Sequence, residues 1–212
     1  MRDSLAWTFL VLVFAAPAAA DKELLWGDTH LHTSNSFDAY LNTNTTTDPD
    51  SAYRFAKGDP VVFPVTGVRV QLGTPLDFLV VADHGEYFGV IRHVVDRGIP
   101  RDDLGLIDRA MAWATEYYLR GVMEDGTGSA AFASILPETT TPEEAAKNPP
   151  SMPIPGVEAM STNMGGEAIA IADRHNQPGT FTTLIGWEWS SIPSGANLHR
   201  VVMTSADAET AG

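Results

Sequence analysis

Leu76-Asp77-Phe78-Leu79-Val80-Val81-Ala82 is a nearly continuous apolar run that stops at Asp83-His84. A run of this kind offers water no polar face, so it suits a strand covered on both sides, as in a parallel sheet. The same arrangement, an apolar stretch closed by potential ligands, recurs along the chain. Leu24-Leu25-Trp26 runs into Gly27-Asp28-Thr29-His30-Leu31-His32, Phe181 to Trp187 runs into Glu188, and the strand-like stretch Leu198 to Thr204 carries His199. Alternate side chains of an extended strand face the same side, so Asp28, His30 and His32 are expected to point into one pocket.

Helix signals separate these runs. Asp48-Pro49 before Ser51 to Lys57, closed by Gly58, supplies start and stop signals. Asp102 to Arg120 carries Leu106, Ala110, Trp113 and Tyr117 at helical spacing. Glu158 to Asn176 reads as mostly helical, with its first half weakened by Gly165-Gly166 and its end set by Pro178-Gly179. Val61 to Leu72, rich in valine and broken by Pro64 and Gly67, predicts a small hairpin or loop insertion. Gly126 to Pro155, rich in Pro, Thr and Ala, predicts an irregular insertion with one short helix near Pro142 to Lys147. Strands alternating with helices, with ligands at the strand ends, predict an α/β barrel or a related parallel sheet.

Composition narrows the chemistry. Residues 1–20 combine Arg2, an apolar core from Phe9 to Phe14 and the small-residue site Ala18-Ala19-Ala20. They read as a secretory signal peptide, with Asp21 as the mature N-terminus and residues 21–212 as one domain. The apolar stretch is short for a membrane span, which needs about 20 residues, so no stable membrane anchor is expected. The chain has no cysteine. That excludes a disulfide scaffold, a thiol nucleophile and a cysteine zinc finger, and suits a bacterial periplasm or the cell exterior. Any metal must then be held by His, Asp and Glu. The net charge of -14 argues against a nucleic-acid partner. It leaves room for a small anionic substrate where bound cations set the local field.

Each ligand taken singly is ordinary, since a lone histidine at a strand end is more often a hydrogen-bonded structural residue. Glu188 lies between Trp187 and Trp189, where burying an unpaired carboxylate is costly, so it needs a cationic partner or exposure. Taken together, Asp28, His30, His32, Asp38, Asp83, His84, Glu188 and His199 form a mixed imidazole and carboxylate set suited to zinc, manganese or iron. Two ions bridged by a carboxylate generate hydroxide at neutral pH and clamp the oxygens of a displacement. No Gly-x-Ser-x-Gly elbow, Walker loop or dinucleotide fingerprint offers a different chemistry. His93, with no partner nearby in sequence, and His175, at a helix end where its polarity suits the dipole, read as structural.

At these residues the chain resembles the polymerase-and-histidinol-phosphatase (PHP) superfamily of metal-dependent phosphoesterases. More closely, it is similar to an often secreted branch, domain-of-unknown-function family 3604. The matching stretches are Gly27 to Thr33, Pro75 to Leu79 into Ala82-Asp83-His84, Pro178-Gly179-Thr180-Phe181, and Gly186-Trp187-Glu188-Trp189-Ser190 with Asn197-Leu198-His199-Arg200. The resemblance implies a distorted (β/α)7 barrel with two or three divalent ions. His30 and His32 would bind the first ion, Glu188 would bridge it to the second, and His199 would bind the second. His84 would bind the third, oriented by Asp83. Asp38 stands where many members carry another histidine ligand, and Asp28 would support the site. The superfamily's late His and closing Asp-x-His do not follow His199, and the chain stops directly after a strand-like stretch. The chain is therefore expected to hold the N-terminal part of such a barrel.

The expected activity is metal-dependent hydrolysis of a phosphoester or related anionic ester. Arg200, beside His199, is a candidate for a phosphate contact or for an ordinary ion pair, and Lys57 carries the same ambiguity. An amidohydrolase-type barrel, which also opens with His-x-His, is an alternative. So is an exported metal- or carbohydrate-binding module using Trp187 and Trp189 as an aromatic platform, although core packing is the commoner role for such residues.

Overall fold

The structure is a computed structural model that describes residues 22–135, 141, 143, 152–191 and 198–211. The predicted leader and, apart from Glu143, the short helix near Pro142 to Lys147 lie outside the described residues.

The apolar run became the centre of the sheet. β4 (Phe78–Val81) lies between β1 (Gly27–Leu31) and β5 (Thr182–Thr183), pairing with both in parallel. Leu79 and Val80 are fully buried, as a strand covered on both faces requires. α2 (Pro49–Ala56) and α6 (Val157–His175) cover the sheet, and Tyr53, Ala56, Leu79, Ala172, Phe181 and Ile185 form one core there. A second core gathers α1 (Phe37–Leu41), α3 (Val90–Arg97), α4 (Leu106–Glu124) and Met160 of α6 around Tyr40, Ile91 and Leu119. Among the described residues no helix is long and apolar enough to cross a membrane.

Local signals account for several elements. The Asp48 side chain accepts from the Ser51 amide at 2.9 Å and Pro49 opens α2, so the predicted start is a real cap. The predicted hairpin is present, with β2 (Val61–Val62) antiparallel to β3 (Arg69–Val70). α6 passes unbroken through Gly165-Gly166. Each glycine costs roughly 1 kcal/mol in a helix, but Met160, Met164 and Ala172 are buried and hold the helix against its neighbours. α5 (Gly128–Ile135) is a helix inside the segment read as irregular, and its Ser129 hydroxyl donates to Asn42 at 2.6 Å.

α4 turns the opposite way from its apolar spacing. Leu106, Trp113 and Tyr117 are 87 %, 64 % and 73 % exposed, while Ala112, Glu116, Leu119 and Val122 face inward. The cause is Glu116. Its carboxylate accepts from the Ile99 amide at 2.7 Å and from Arg101 at 2.9 Å. A charge with these partners is stable on the inner face, and it ties the loop after α3 to α4.

The expected (β/α)7 barrel is not what the structure contains. The parallel sheet has three strands, and β6 (Ile185–Ser191) and β7 (Leu198–Thr204) form a separate antiparallel ladder from Ile185↔Thr204 to Ser191↔Leu198. A parallel return needs a crossover of about a dozen residues. Only residues 192–197 separate β6 from β7, so the second strand must double back. β1 remains largely exposed at the sheet edge, and among the described residues no closed cylinder forms.

β6 nevertheless stays against β4. A side chain at Gly186 would place its Cβ 2.7 Å from Val80 Cγ1 and 3.0 Å from the Val202 carbonyl oxygen. Gly186→Ala is expected to force the hairpin away from β4 and to cost about 1–3 kcal/mol, the usual range for overpacking. Urea denaturation of the two proteins measures it, and an unchanged midpoint would contradict the close-approach account.

Candidate metal centre

The pocket is built by two neighbouring backbone segments. The chain beyond β4 pairs with β6 through the Glu188 amide, which donates to the Asp83 carbonyl at 2.9 Å, and the Gly85 amide, which donates to the Glu188 carbonyl at 2.8 Å. This puts His84 and Glu188 side by side. β1 brings His30, and the turn after it brings His32. Period-two alternation on the β6–β7 ladder puts Glu188 and Ser190 on one side, with Ser190 directly opposite His199. Glu188 therefore lies within β6 rather than after it.

Glu188 is completely buried. His32 Nε2 stands 2.7 Å and His30 Nε2 3.1 Å from its Oε2, His84 Nδ1 3.6 Å from the same oxygen, and His199 Nδ1 against Oε1. Four imidazoles thus surround one carboxylate, yet among the described residues neither Glu188 oxygen has a hydrogen bond of acceptable geometry. Burial pushes its acidity toward the neutral form, but the contact with His30 and the fields of His84, His32 and His199 outweigh this and hold it below the usual glutamate range.

Asp38 forms a second focus. Both its oxygens are 3.2 Å from His32 Nδ1, Ser36 Oγ donates to Oδ1 at 2.5 Å, and His84 Nε2 is 3.6 Å from Oδ2. Burial opposes ionisation, but contacts with His32, His84 and Ser36 hold Asp38 well below the usual carboxylate range. His84 shows the converse: burial disfavours its charge, yet Asp38 and Glu86, with the field of Glu188, push it up to about 9. His32 is also raised, its burial outweighed by Asp38.

Among the described residues three groupings have ligand atoms mutually within 4.8 Å: His30, His32 and Glu188; His32, Asp38 and His84; and His84, Glu188 and His199. The structure therefore brings His30, His32, Asp38, His84, Glu188 and His199 together, and they could hold metal ions. Their chemistry fits the role. Buried carboxylate oxygens and neutral imidazole nitrogens facing one another offer lone pairs that a divalent cation could share.

Other expected residues sit elsewhere. The Asp28 carboxylate accepts from the His30 amide at 2.9 Å and so braces that turn. Asp83 does not orient His84. Its oxygens accept from the Thr33 amide at 2.5 Å and the Thr33 hydroxyl at 2.6 Å, fixing the turn that carries His32. Burial pushes Asp83 up to about 6 despite these donors. Arg200 lies over the Trp189 ring, 5.7 Å from its centroid, paired across the ladder with Trp189 and not with Glu188. Lys57 contacts the His175 carbonyl at 3.3 Å, and His175 bonds Asp50 at 2.9 Å and stacks on Tyr53, so both belong to the α2–α6 contact. His93 likewise stays out of the three groupings. Glu86, Ser36 and Ser190 line the cluster but escaped the sequence reading. The signal for two of them was spacing, since Glu86 follows His84 by two residues and Ser190 follows Glu188 by two.

A histidine must lose its proton before it ligates, and Asp38, Glu86 and Glu188 favour the protonated form of His84 above the usual histidine range. Zinc affinity of the metal-free protein is therefore expected to rise by about tenfold per pH unit between pH 6.5 and 8.5. Competition with a chromophoric chelator measures it; a flat profile would exclude His84 as a ligand.

No curated protein and no solved structure matched the chain. A family model does match residues 19–212, nearly the whole sequence and every element of the cluster. The chain belongs to the family described as Protein of unknown function (DUF3604).

Proposed function

We propose that this chain carries the centre of an exported metal-dependent hydrolase acting on phosphoesters or related small anionic esters, with two or three divalent ions. The observation that carries the reading is Glu188, fully buried, ringed by four imidazoles and without a hydrogen bond to either oxygen. The likeness of the His30-Leu31-His32, Asp83-His84 and Gly186-Trp187-Glu188 stretches to the PHP phosphoesterases supports it.

Ions held there would supply Lewis-acid activation of water and neutralise charge developing on the ester oxygens. The residues' own tasks follow from their positions. Glu188 would hold ions on both sides, lying within reach of His30 and His32 on one oxygen and of His199 on the other. Asp38 and His84 hold the second focus. His30 and His199 are the open members, with side chains 43 % and 39 % exposed against 7 % for His84, so substrate approaches from their side. Among the described residues the ion-pair partners of Glu188 and Asp38 are all histidines, and the chain is strongly acidic. An anionic ester would therefore depend on the ions for its attraction to this pocket.

A second reading, an exported binding module, draws on Trp187 and Trp189, which are 42 % and 46 % exposed instead of packed in the core. Saturable glycan binding without metal would favour it.

Elemental analysis beside hydrolysis of bis(p-nitrophenyl) phosphate tests the proposal. Two or three ions per chain are expected in the wild type, with activity lost on chelation. The H30A/H32A double variant is expected to lose metal and to fall by at least about 10²–10³ in rate, the cost typical of removing transition-state charge stabilisation. Unchanged metal stoichiometry in that variant would sink the assignment.

A further inference from the structure

His84 is the one histidine shared by the Asp38 grouping and the Glu188–His199 grouping. It presents a different nitrogen to each: Nε2 lies 3.6 Å from Asp38 Oδ2, and Nδ1 lies 3.6 Å from Glu188 Oε2. A neutral imidazole has one lone pair for a metal, and the hydrogen bond made by the other nitrogen decides which it is.

We propose that Glu86 and Ser190 are positioning residues that make this decision, holding the proton on His84 Nδ1 and turning Nε2 toward Asp38 as the ligating atom. The inference rests on the metal-dependent reading above and adds the division of His84 between the two foci.

The geometry is specific. Ser190 Oγ stands 3.0 Å from His84 Nδ1, placed to accept from it. Glu86 Oε2 stands 3.6 Å from the same nitrogen and is buried without a hydrogen-bond partner. Its other oxygen, Oε1, accepts from the Ser190 amide at 3.0 Å, which anchors the carboxylate to β6. An ionised carboxylate only accepts, so the buried oxygen facing Nδ1 favours a proton on that nitrogen over a lone pair there. Phe37 flanks the His84 ring with centroids 4.9 Å apart, further limiting its rotation. The same Ser190 hydroxyl is 3.2 Å from His199 Nδ1, so it stands between the two imidazoles. With Nδ1 engaged in this way, Glu188 and His199 form their focus without His84.

Long-range ¹H–¹⁵N correlation spectra of the zinc-loaded protein read the assignment directly. The expected result is a zinc-bound Nε2 and a protonated Nδ1 on His84. Zinc titrations of E86A, E86Q and S190A add a second readout. E86A is expected to weaken one class of zinc site by about 10–100-fold, the usual cost of losing a ligand's outer partner, and to leave the others within about twofold. E86Q keeps an acceptor and should recover part of the loss. Zinc on Nδ1 of wild-type His84, or unaltered zinc affinities in both E86A and S190A, would overturn this inference alone. A wild-type protein that binds no zinc, manganese or iron would overturn it together with the hydrolase reading. The wild-type spectrum decides the point even where a variant fails to fold.

Discussion

The backbone bridge between His84 and Glu188 is the contact on which the candidate centre depends. Two amide bonds, Glu188 to the Asp83 carbonyl and Gly85 to the Glu188 carbonyl, lock β6 against the end of β4. Residues 104 positions apart thereby become neighbours. β4 is itself held by parallel partners on both edges and by buried Leu79 and Val80. Gly186 lets the hairpin approach closely enough for the bridge to form. A shift of one residue in that pairing would turn Glu188 outward, because side chains alternate along a strand.

Two fully buried carboxylates show how differently the fold treats charge. Asp83 is satisfied locally by an amide and a hydroxyl from Thr33, and it holds the turn between His30 and Asp38 in place. Glu188 is surrounded only by imidazoles at contact distances without hydrogen-bond geometry. A buried charge is costly unless it is paired, and here the pairing falls to the four imidazoles. One carboxylate is tied by an amide and a hydroxyl, and the other is set among imidazoles that could hold a metal ion with it. That contrast separates a structural acid from a candidate ligand more sharply than the sequence, where both follow strand-like runs.

Helix α4 carries the same lesson about position. Its Trp113 and Tyr117 stack on one another, ring centroids 5.7 Å apart, on the exposed side, while Glu116 points in. Helical spacing identifies which residues share a face, but not which face is inner. Here the inner face is chosen by the acceptors that Ile99 and Arg101 require. Likewise Trp187 and Trp189 are half-exposed because Glu188, between them, takes the inward position on β6.

The sequence by itself determined the chemistry and much of the local structure. Its lack of cysteine limited metal ligands to His, Asp and Glu, and Asp48-Pro49 set the start of α2. The apolar run of β4 marked the sheet centre, since a strand covered on both sides must be apolar throughout. His30, His32, His84, Glu188 and His199 were legible because each follows or lies within such a run. Only the tertiary structure decided how those strands close. The short connection between β6 and β7 forces an antiparallel return in place of a barrel, a constraint present in the sequence but outweighed there by the repeating strand-and-ligand pattern. It also decided that Asp83 serves Thr33, that Arg200 pairs with Trp189, and that Glu86 and Ser190 meet His84. These are contacts between segments far apart in the chain, set by register and by competition for buried donors and acceptors, which a linear pattern does not encode.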